Sequence, residues 1–458
     1  MSNTRSIDVT SVIDNAPFSR IQKKAIGLCI AIAIIDGFDA QSIGFAAPAI
    51  AADWDVPVSS FGLVFSLGLV GMMLGGMIFG PISDRYGRRN VIVGCTVAFA
   101  VFTLSTSMST SVEMLMILRF MTGLGLGGIT PNLIALASEY APGRIRSTVV
   151  TIVVCGFSLG GFFGGFLAAY LIPTFGWHFL FVVGGILPLF LAVYSYFTLP
   201  ESVRYLTVNG RTAEAANILD QVSPGSVPPG SSLTLPETAS NKSSVGALFS
   251  EGRTSRTVIL WSIFFMNLLV IYFVLSWMPS LFKEAGLTAS VALVATALFN
   301  LGGVVGGITI GRLADRRERP FGVIATSYVL GAVFIGVVAV AFHIVPLMLI
   351  AVFVVGVGVS GSQTGISAVA ASAYPTIARA TGVGWAYGVG RIGSIIGPTL
   401  GGFLIAIGLG AVNIFTLTMI PTLLAAAGIL LLSRKIGHSR PEIPKGTTVE
   451  SSAELDNA

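Results

Sequence analysis

The sequence predicts an all-α polytopic membrane protein with twelve transmembrane helices in two pseudo-symmetric six-helix bundles, and three observations predict it. Of 458 residues, 53% are hydrophobic and 10% charged, with a mean hydropathy of +0.86, whereas about a quarter of the residues of a soluble domain are charged. Apolar stretches recur along the whole chain, each of roughly 20 residues, enough to cross about 30 Å of hydrocarbon as a helix. Loop sequences in the first half also return about 230 residues later in the second, the pattern of an internal repeat.

Taken in order, residues 1–20 are polar and lack the basic, apolar and small-residue sequence of a signal peptide, so the chain is expected to start inside. Windows of about 19 residues place spans at 21–47, 58–80, 90–108, 112–137, 147–171 and 178–199. A second group falls at 255–281, 290–311, 321–342, 345–371, 381–407 and 411–433. The halves are therefore expected at 21–199 and 255–433, with a tail at 434–458. Between them, residues 200–254 are rich in Ser, Pro and Gly and read as a linker with one short helix at 212–222.

Charge placement supports this map independently. Of 26 Lys and Arg, Arg119 and Arg391 fall within the membrane, Lys283 in an outer loop, and the rest on one side together with both termini; by the positive-inside rule that side is the cytoplasm. "GPISDRYGRRN" at 80–90 returns as "GRLADRRERP" at 311–320, and "EYAPGRIRSTVV" from Glu139 returns weakly as "AYPTIARATGVG" from Ala373. Related loops at equivalent places in two bundles imply a central site between them, reached alternately from either side. Cys29, Cys95 and Cys155 all lie in apolar stretches, as small hydrophobes rather than disulfide or metal partners.

The candidate working parts are charges that the membrane penalises. Asp36 lies 11 residues beyond Ala25, roughly 16 Å into the bilayer, and Asp39 is one turn further on the same face. A carboxylate at that depth faces a cavity or gives up its charge by taking a proton, which makes Asp36 and Asp39 proton-coupling candidates. Arg119 sits at a depth comparable to Asp39, so one aspartate can pair with it while the other titrates, in either assignment. No Asp or Glu lies within any span of the second half. The partner of Arg391 is therefore a carboxylate of the first half, backbone carbonyls, or a bound anion, onto which guanidinium forks bidentately. Tyr387, one turn before Arg391, can cover a ring; Ser360, Gln363 and Ser367 form a polar stripe, and Asn300 precedes Gly303 by one turn. Each of these can equally be helix-packing glue. Gly71 and Gly75, with Gly123 and Gly127, fit close helix contact. No water-exposed Gly-rich loop opens a helix, so neither a nucleotide nor a nucleic acid is implied. No nucleophile–base pair or metal-ligand cluster occurs in the spans, with His178 and His343 at their edges and His438 in the tail.

At these residues the chain resembles the major facilitator superfamily, over nearly all of 21–433. The G-x-x-x-D-R-x-G-R-R loop is the most specific sign, and "LPESVRYL" at 199–206 resembles a Pro-Glu-Ser segment that many members carry after the sixth helix. D-G-F-D at 36–39, "RFMTGLGLGGITPNLIALASEY" at 119–140 and "GVGRIGSIIGPTLGG" at 388–402 look like the aromatic acid:proton symporters of bacterial inner membranes. The resemblance implies uptake of benzoate, hydroxybenzoates, protocatechuate, gentisate or muconate, driven by the proton gradient without a cofactor or obligate protein partner. It also implies that Gly80, Asp84, Arg85, Gly87, Arg88 and Arg89, with Asp315 and Arg316 in the second copy, form an ion-paired latch steadying one access state. The second copy departs from the pattern at Glu318 and Arg319. "CGFSLGGFFGGF" at 155–166 lacks the proline of drug antiporters, which leans toward symport.

The expectation is thus a proton-coupled importer of a small aromatic carboxylate, with Arg391 and Arg119, Tyr387, Gln363 and Asn300 at the substrate. Rival readings are a carrier of another organic anion such as a dicarboxylate, a drug or metabolite exporter, and a membrane chemosensor.

Overall fold

Twelve helices long and apolar enough to span a bilayer follow one another in the computed structural model, which describes residues 6–228, 231–235, 245–250, 252–316 and 320–437. In the first half they are α1 (Arg20–Asp53), α2 (Phe61–Tyr86), α3 (Arg88–Thr106), α4 (Val112–Tyr140), α5 (Arg146–Phe175) and α6 (Trp177–Thr198). In the second they are α7 (Thr254–Glu284), α8 (Ala289–Arg316), α9 (Pro320–Val340), α10 (Val345–Ala373), α11 (Thr376–Ala406) and α12 (Ala411–Lys435). Each corresponds to one predicted span and differs mainly at its ends. Local chemistry sets several of those ends. Ser19 caps α1 in a capping box, its hydroxyl accepting from the Gln22 N–H while the Gln22 side chain accepts from the Ser19 N–H at 2.8 Å. Ser111 caps α4 more simply, its hydroxyl accepting from the Met114 N–H.

The stretch 80–90, read from sequence as a loop, is mostly helix. α2 runs on to Tyr86, and Gly87 alone separates it from α3. Its φ of +95° is the left-handed region that glycine enters without strain. The polar residues before it stay helical because a chain leaving the bilayer satisfies its carbonyls most readily by continuing the helix.

α2 and α4 pack backbone to backbone. A Cβ on Gly71 or Gly75 would meet the carbonyls of Phe120 or Leu124, and one on Gly123 or Gly127 those of Gly68 or Met72. Without a side chain in the way, dispersion between helices operates at its closest range, the contact that lipid cannot replace. Between the halves, α2 packs on α11 and α5 on α8, with α1 beside α7. The second helix of each half thus meets the fifth of the other, as a two-fold relation requires.

The helix Thr212–Val222 occurs as expected. The rest of that region was not foreseen. The helix Val203–Val208 precedes it, and β2 (Ser232–Thr234) pairs in parallel with β1 (Ser6–Asp8). Val9 and Ile13 of the short helix Val9–Asn15 are buried with Leu206, Ala215 and Leu219 in the core that includes the base of α1. Three-residue strands joined across more than 200 positions leave no local pattern to read.

Candidate functional site

The two aspartates in the middle of α1 are buried. Asp36 and Asp39 are 1% and 0% exposed. Thr130 of α4 donates to Asp36 Oδ2 at 2.8 Å, and Asp36 Oδ1 has no partner. Asp39 Oδ1 accepts from Thr103 of α3 at 2.6 Å, and Arg119 Nη1 of α4 stands 3.7 Å from Asp39 Oδ2. That is an ion pair without a hydrogen bond; the other arm of the guanidinium donates to Thr106 Oγ1 at 2.6 Å, and its central carbon lies 5.2 Å from the centre of the Phe181 ring. A cavity of about 40 Å³ adjoins Asp39, Arg119 and Thr122, room enough for water. Of the two assignments open in the sequence, the structure pairs Asp39 with Arg119. Asp36 has a hydroxyl for company and no cation in contact.

In the second half, Arg391 of α11 is half-buried and donates to the Tyr272 hydroxyl of α7 at 3.1 Å, its guanidinium 5.9 Å from that ring. Tyr387 is 38% exposed; its hydroxyl is 2.7 Å from Ser367 Oγ of α10, and its ring meets Phe264 edge-on at 5.0 Å. Gln363 of α10 accepts from the Asn267 side chain of α7 at 2.5 Å. Asn300 is differently placed. Its amide exchanges hydrogen bonds with Gln41 of α1 at 2.8 and 3.3 Å, a bridge between halves that occupies it in this conformation.

Further contacts between halves lie at the end opposite the basic loops. Ser66 donates to the Ile395 carbonyl and lies 2.7 Å from Thr399 Oγ1, Phe65 meets Trp277 edge-on, and Lys283 reaches the Pro48 carbonyl. Toward the basic end, Tyr387 and Trp385 stand exposed on α11.

At the basic end, Gly87, Arg88 and Arg89 of the expected latch lie against the segment after α6 and the end of α4. Arg88 pairs with Glu139 at 2.8 Å; the Arg89 N–H donates to Glu201 Oε1 at 3.1 Å, and its guanidinium donates to the Tyr196 carbonyl. Glu201 thereby caps the N-terminus of α3, where a negative charge meets the positive end of the helix dipole. Its carboxylate also abuts Gly87 so closely that a Cβ there would collide with it. Ser202 ties the group together by donating to Glu139 Oε2 at 2.5 Å. Asp84 and Arg85 are exposed, and Gly80 has open space beside it. The side chains of Asp315 and Arg316, together with Glu318, Arg319 and His438, lie outside the described residues.

Sequence reasoning weighed the charges and overlooked their neutral neighbours. Thr103 and Thr106, one turn apart, carried a signal in their spacing; Tyr272 and Asn267 were polar positions in an otherwise apolar span. Glu201 and Glu139 were each inside a quoted motif, but only the fold brings them to the arginines.

Comparison with known proteins agrees with this architecture. The profile of the Major Facilitator Superfamily matches residues 29–345 and 260–454. The chain is 40% identical over 428 residues to a 4-hydroxybenzoate transporter, PcaK, of Pseudomonas aeruginosa, covering 93% of this chain and 95% of that one. It is 39% identical over 437 residues to a gallate transporter of Pseudomonas putida, covering 95% and 96%. Among solved structures, a bacterial homologue of the human lysosomal transporter Spinster, inward-facing and unoccupied, gives a TM-score of 0.73 at 16% identity over 92% of this chain and 98% of the other. A D-xylose-proton symporter gives 0.69 at 18% identity over 89% and 96%; at such identities these two speak for the fold alone. By the profile match and the identities to its transporters, the chain belongs to the Major Facilitator Superfamily and is a membrane transporter rather than an enzyme.

Proposed function

We propose that the protein imports a small aromatic carboxylate with one proton, across a bacterial-type inner membrane with both termini in the cytoplasm. The observation that carries this reading is Arg391, a half-buried cation that among the described residues hydrogen-bonds to a tyrosine hydroxyl and not to a carboxylate. Its fork is available to a planar anion, and Tyr272 and Tyr387 offer ring surface beside it. The names of the relatives, transporters of 4-hydroxybenzoate, gallate and benzoate, support an aromatic acid as that anion.

Proton coupling rests on Asp36. It is a fully buried carboxylate with one unpartnered oxygen, so a proton on Asp36 and an anion on Arg391 load the carrier without leaving either buried charge uncompensated. One proton with one monovalent anion moves no net charge, and the gradient then supplies about 1.4 kcal/mol per pH unit. Contacts at the end opposite the basic loops, with Tyr387 exposed toward the basic end, support an inward-open state in which substrate is released.

The test is uptake of labelled 4-hydroxybenzoate into liposomes under an inward proton gradient, compared with protein-free liposomes because the neutral acid crosses lipid unaided. Competition by protocatechuate, gentisate, benzoate, muconate, succinate and glucose ranks the solutes. Accumulation above the baseline, blocked by aromatic acids, supports the reading; transport of succinate or glucose in its place overturns it.

A further inference from the structure

The contact between Asn267 and Gln363 leaves two groups unmet. The Asn267 side chain donates to Gln363 Oε1, so Asn267 Oδ1 and Gln363 Nε2 have no partner, although both atoms are buried. Asn267 is 1% exposed and faces Gln363, which is half-buried on α10. Exchanging both amide orientations swaps which residue offers which group. One acceptor and one donor are left over in either case. Buried polar groups are nearly always paired, and an orphaned one calls for a reason. Here the two orphans are a complementary acceptor and donor on helices that the Asn267–Gln363 bond joins.

A phenolic hydroxyl is a group that donates one hydrogen bond and accepts another. It would satisfy both orphans at once, whereas a methyl group or a hydrogen would satisfy neither. The spacing suits such a ligand. Asn267 precedes Tyr272, the partner of Arg391, by five residues on α7, a rise of about 7.5 Å, so the two stand at different depths along that helix, as the two ends of a substituted benzoate require. The Tyr387 hydroxyl is 2.7 Å from Ser367 Oγ, one turn beyond Gln363 on α10.

The sequence of α10 is built to hold Gln363 there. Gly356–Ser360 forms a π turn, with the Gly361 N–H reaching back to the Gly356 carbonyl at 3.0 Å. One extra residue rotates the helix beyond it by about 100° relative to an uninterrupted α-helix. The segment Ser362–Ala373 then presents Gln363 to α7 and Ser367 to α11.

We propose that the Asn267–Gln363 pair is the subsite for a ring hydroxyl at the end of the substrate remote from its carboxylate. The inference rests on the aromatic-acid reading above and makes Asn267 a specificity-determining residue. A site built to hydrogen-bond a hydroxyl rejects the analogue that lacks it, because the site's own groups are left dry and unpaired.

The experiment measures competition by 4-hydroxybenzoate, its near-isostere 4-methylbenzoate and benzoate against labelled 4-hydroxybenzoate in liposomes. It uses wild type, Asn267→Leu and Gln363→Met, with each variant's size-exclusion profile matched to wild type. Wild type should prefer the hydroxy acid over the methyl acid by ~10-fold or more. Either variant should bring that ratio close to one by weakening the hydroxy acid far more than the methyl acid. A ratio unchanged in both variants overturns the proposal, and so does an equal loss of all three acids, which marks a structural role. Two variants on different helices keep the test open if one fails to fold. A wild type that takes up aromatic acids without telling hydroxyl from methyl sinks this inference alone, and one that takes up none sinks the functional reading beneath it.

Discussion

Arg119 stands 3.7 Å from Asp39 and gives its short hydrogen bond to Thr106 instead, so the two charges compensate one another without being locked together. Removing one partner of a buried pair leaves the other charge uncompensated, at a cost of about 3–5 kcal/mol. Arg119→Ala should therefore lower the unfolding temperature of the purified protein sharply, and Asp39→Asn added to it should recover part of the loss. A double variant no more stable than the single one would show that the pair does not carry the effect.

Asp36→Asn is expected to abolish accumulation against a gradient while sparing expression and exchange of labelled for unlabelled substrate. Proton-driven uptake at the wild-type level in this variant would remove Asp36 from the coupling step.

On the proposed reading, Asp39 is paired to Arg119 and only Asp36 takes a proton, so transport should be electroneutral. A potassium diffusion potential imposed on proteoliposomes should then leave uptake unchanged, while a pH gradient drives it. A second coupled proton would instead let the potential add about 2.3 kcal/mol per 100 mV, and would appear as faster uptake with the interior negative.

Arg391→Ala should weaken binding of aromatic acids by about 10-fold to 100-fold, the loss of charge-assisted hydrogen bonds, and should affect the matching amides far less. Equal losses for acid and amide, measured by binding to purified protein, would argue against a carboxylate at Arg391.

Gly87→Ala forces a side chain into the left-handed region and against the Glu201 carboxylate, a strain of about 1–3 kcal/mol. It should lower stability and slow transport, whereas Gly80→Ala, with nothing within 4 Å of its new methyl group, should leave stability intact. Equal destabilisation by both would mean that local packing does not distinguish the two glycines.

Much of the candidate site was legible because a membrane makes charge scarce. Asp36, Asp39, Arg119 and Arg391 stood out against apolar surroundings, and helix arithmetic gave their depths. Their pairing was not legible, since depth along two helices does not say which faces meet. Thr103, Thr106 and Tyr272 were hidden for another reason: neutral polar residues are tolerated in spans, and their value comes from the charge they touch. Asn300 had the right composition for a ligand contact but is occupied by Gln41, a partner 259 positions away in the chain.

The sequence by itself determined the twelve spans, because bilayer thickness and hydrogen-bond satisfaction leave an apolar 20-residue stretch only one structure; the repeated loops set their division into two halves, and the run Thr212–Val222 was legible as a short helix in the linker. Only the tertiary structure decided that Asp39 rather than Asp36 takes Arg119, that Glu201 caps α3 beside Gly87, and that Asn267 and Gln363 face one another with a donor and an acceptor left over. Those outcomes depend on how helices rotate about their axes and which of them touch. Close packing through glycines and the π turn of α10 set that rotation, and neither leaves a mark in hydropathy.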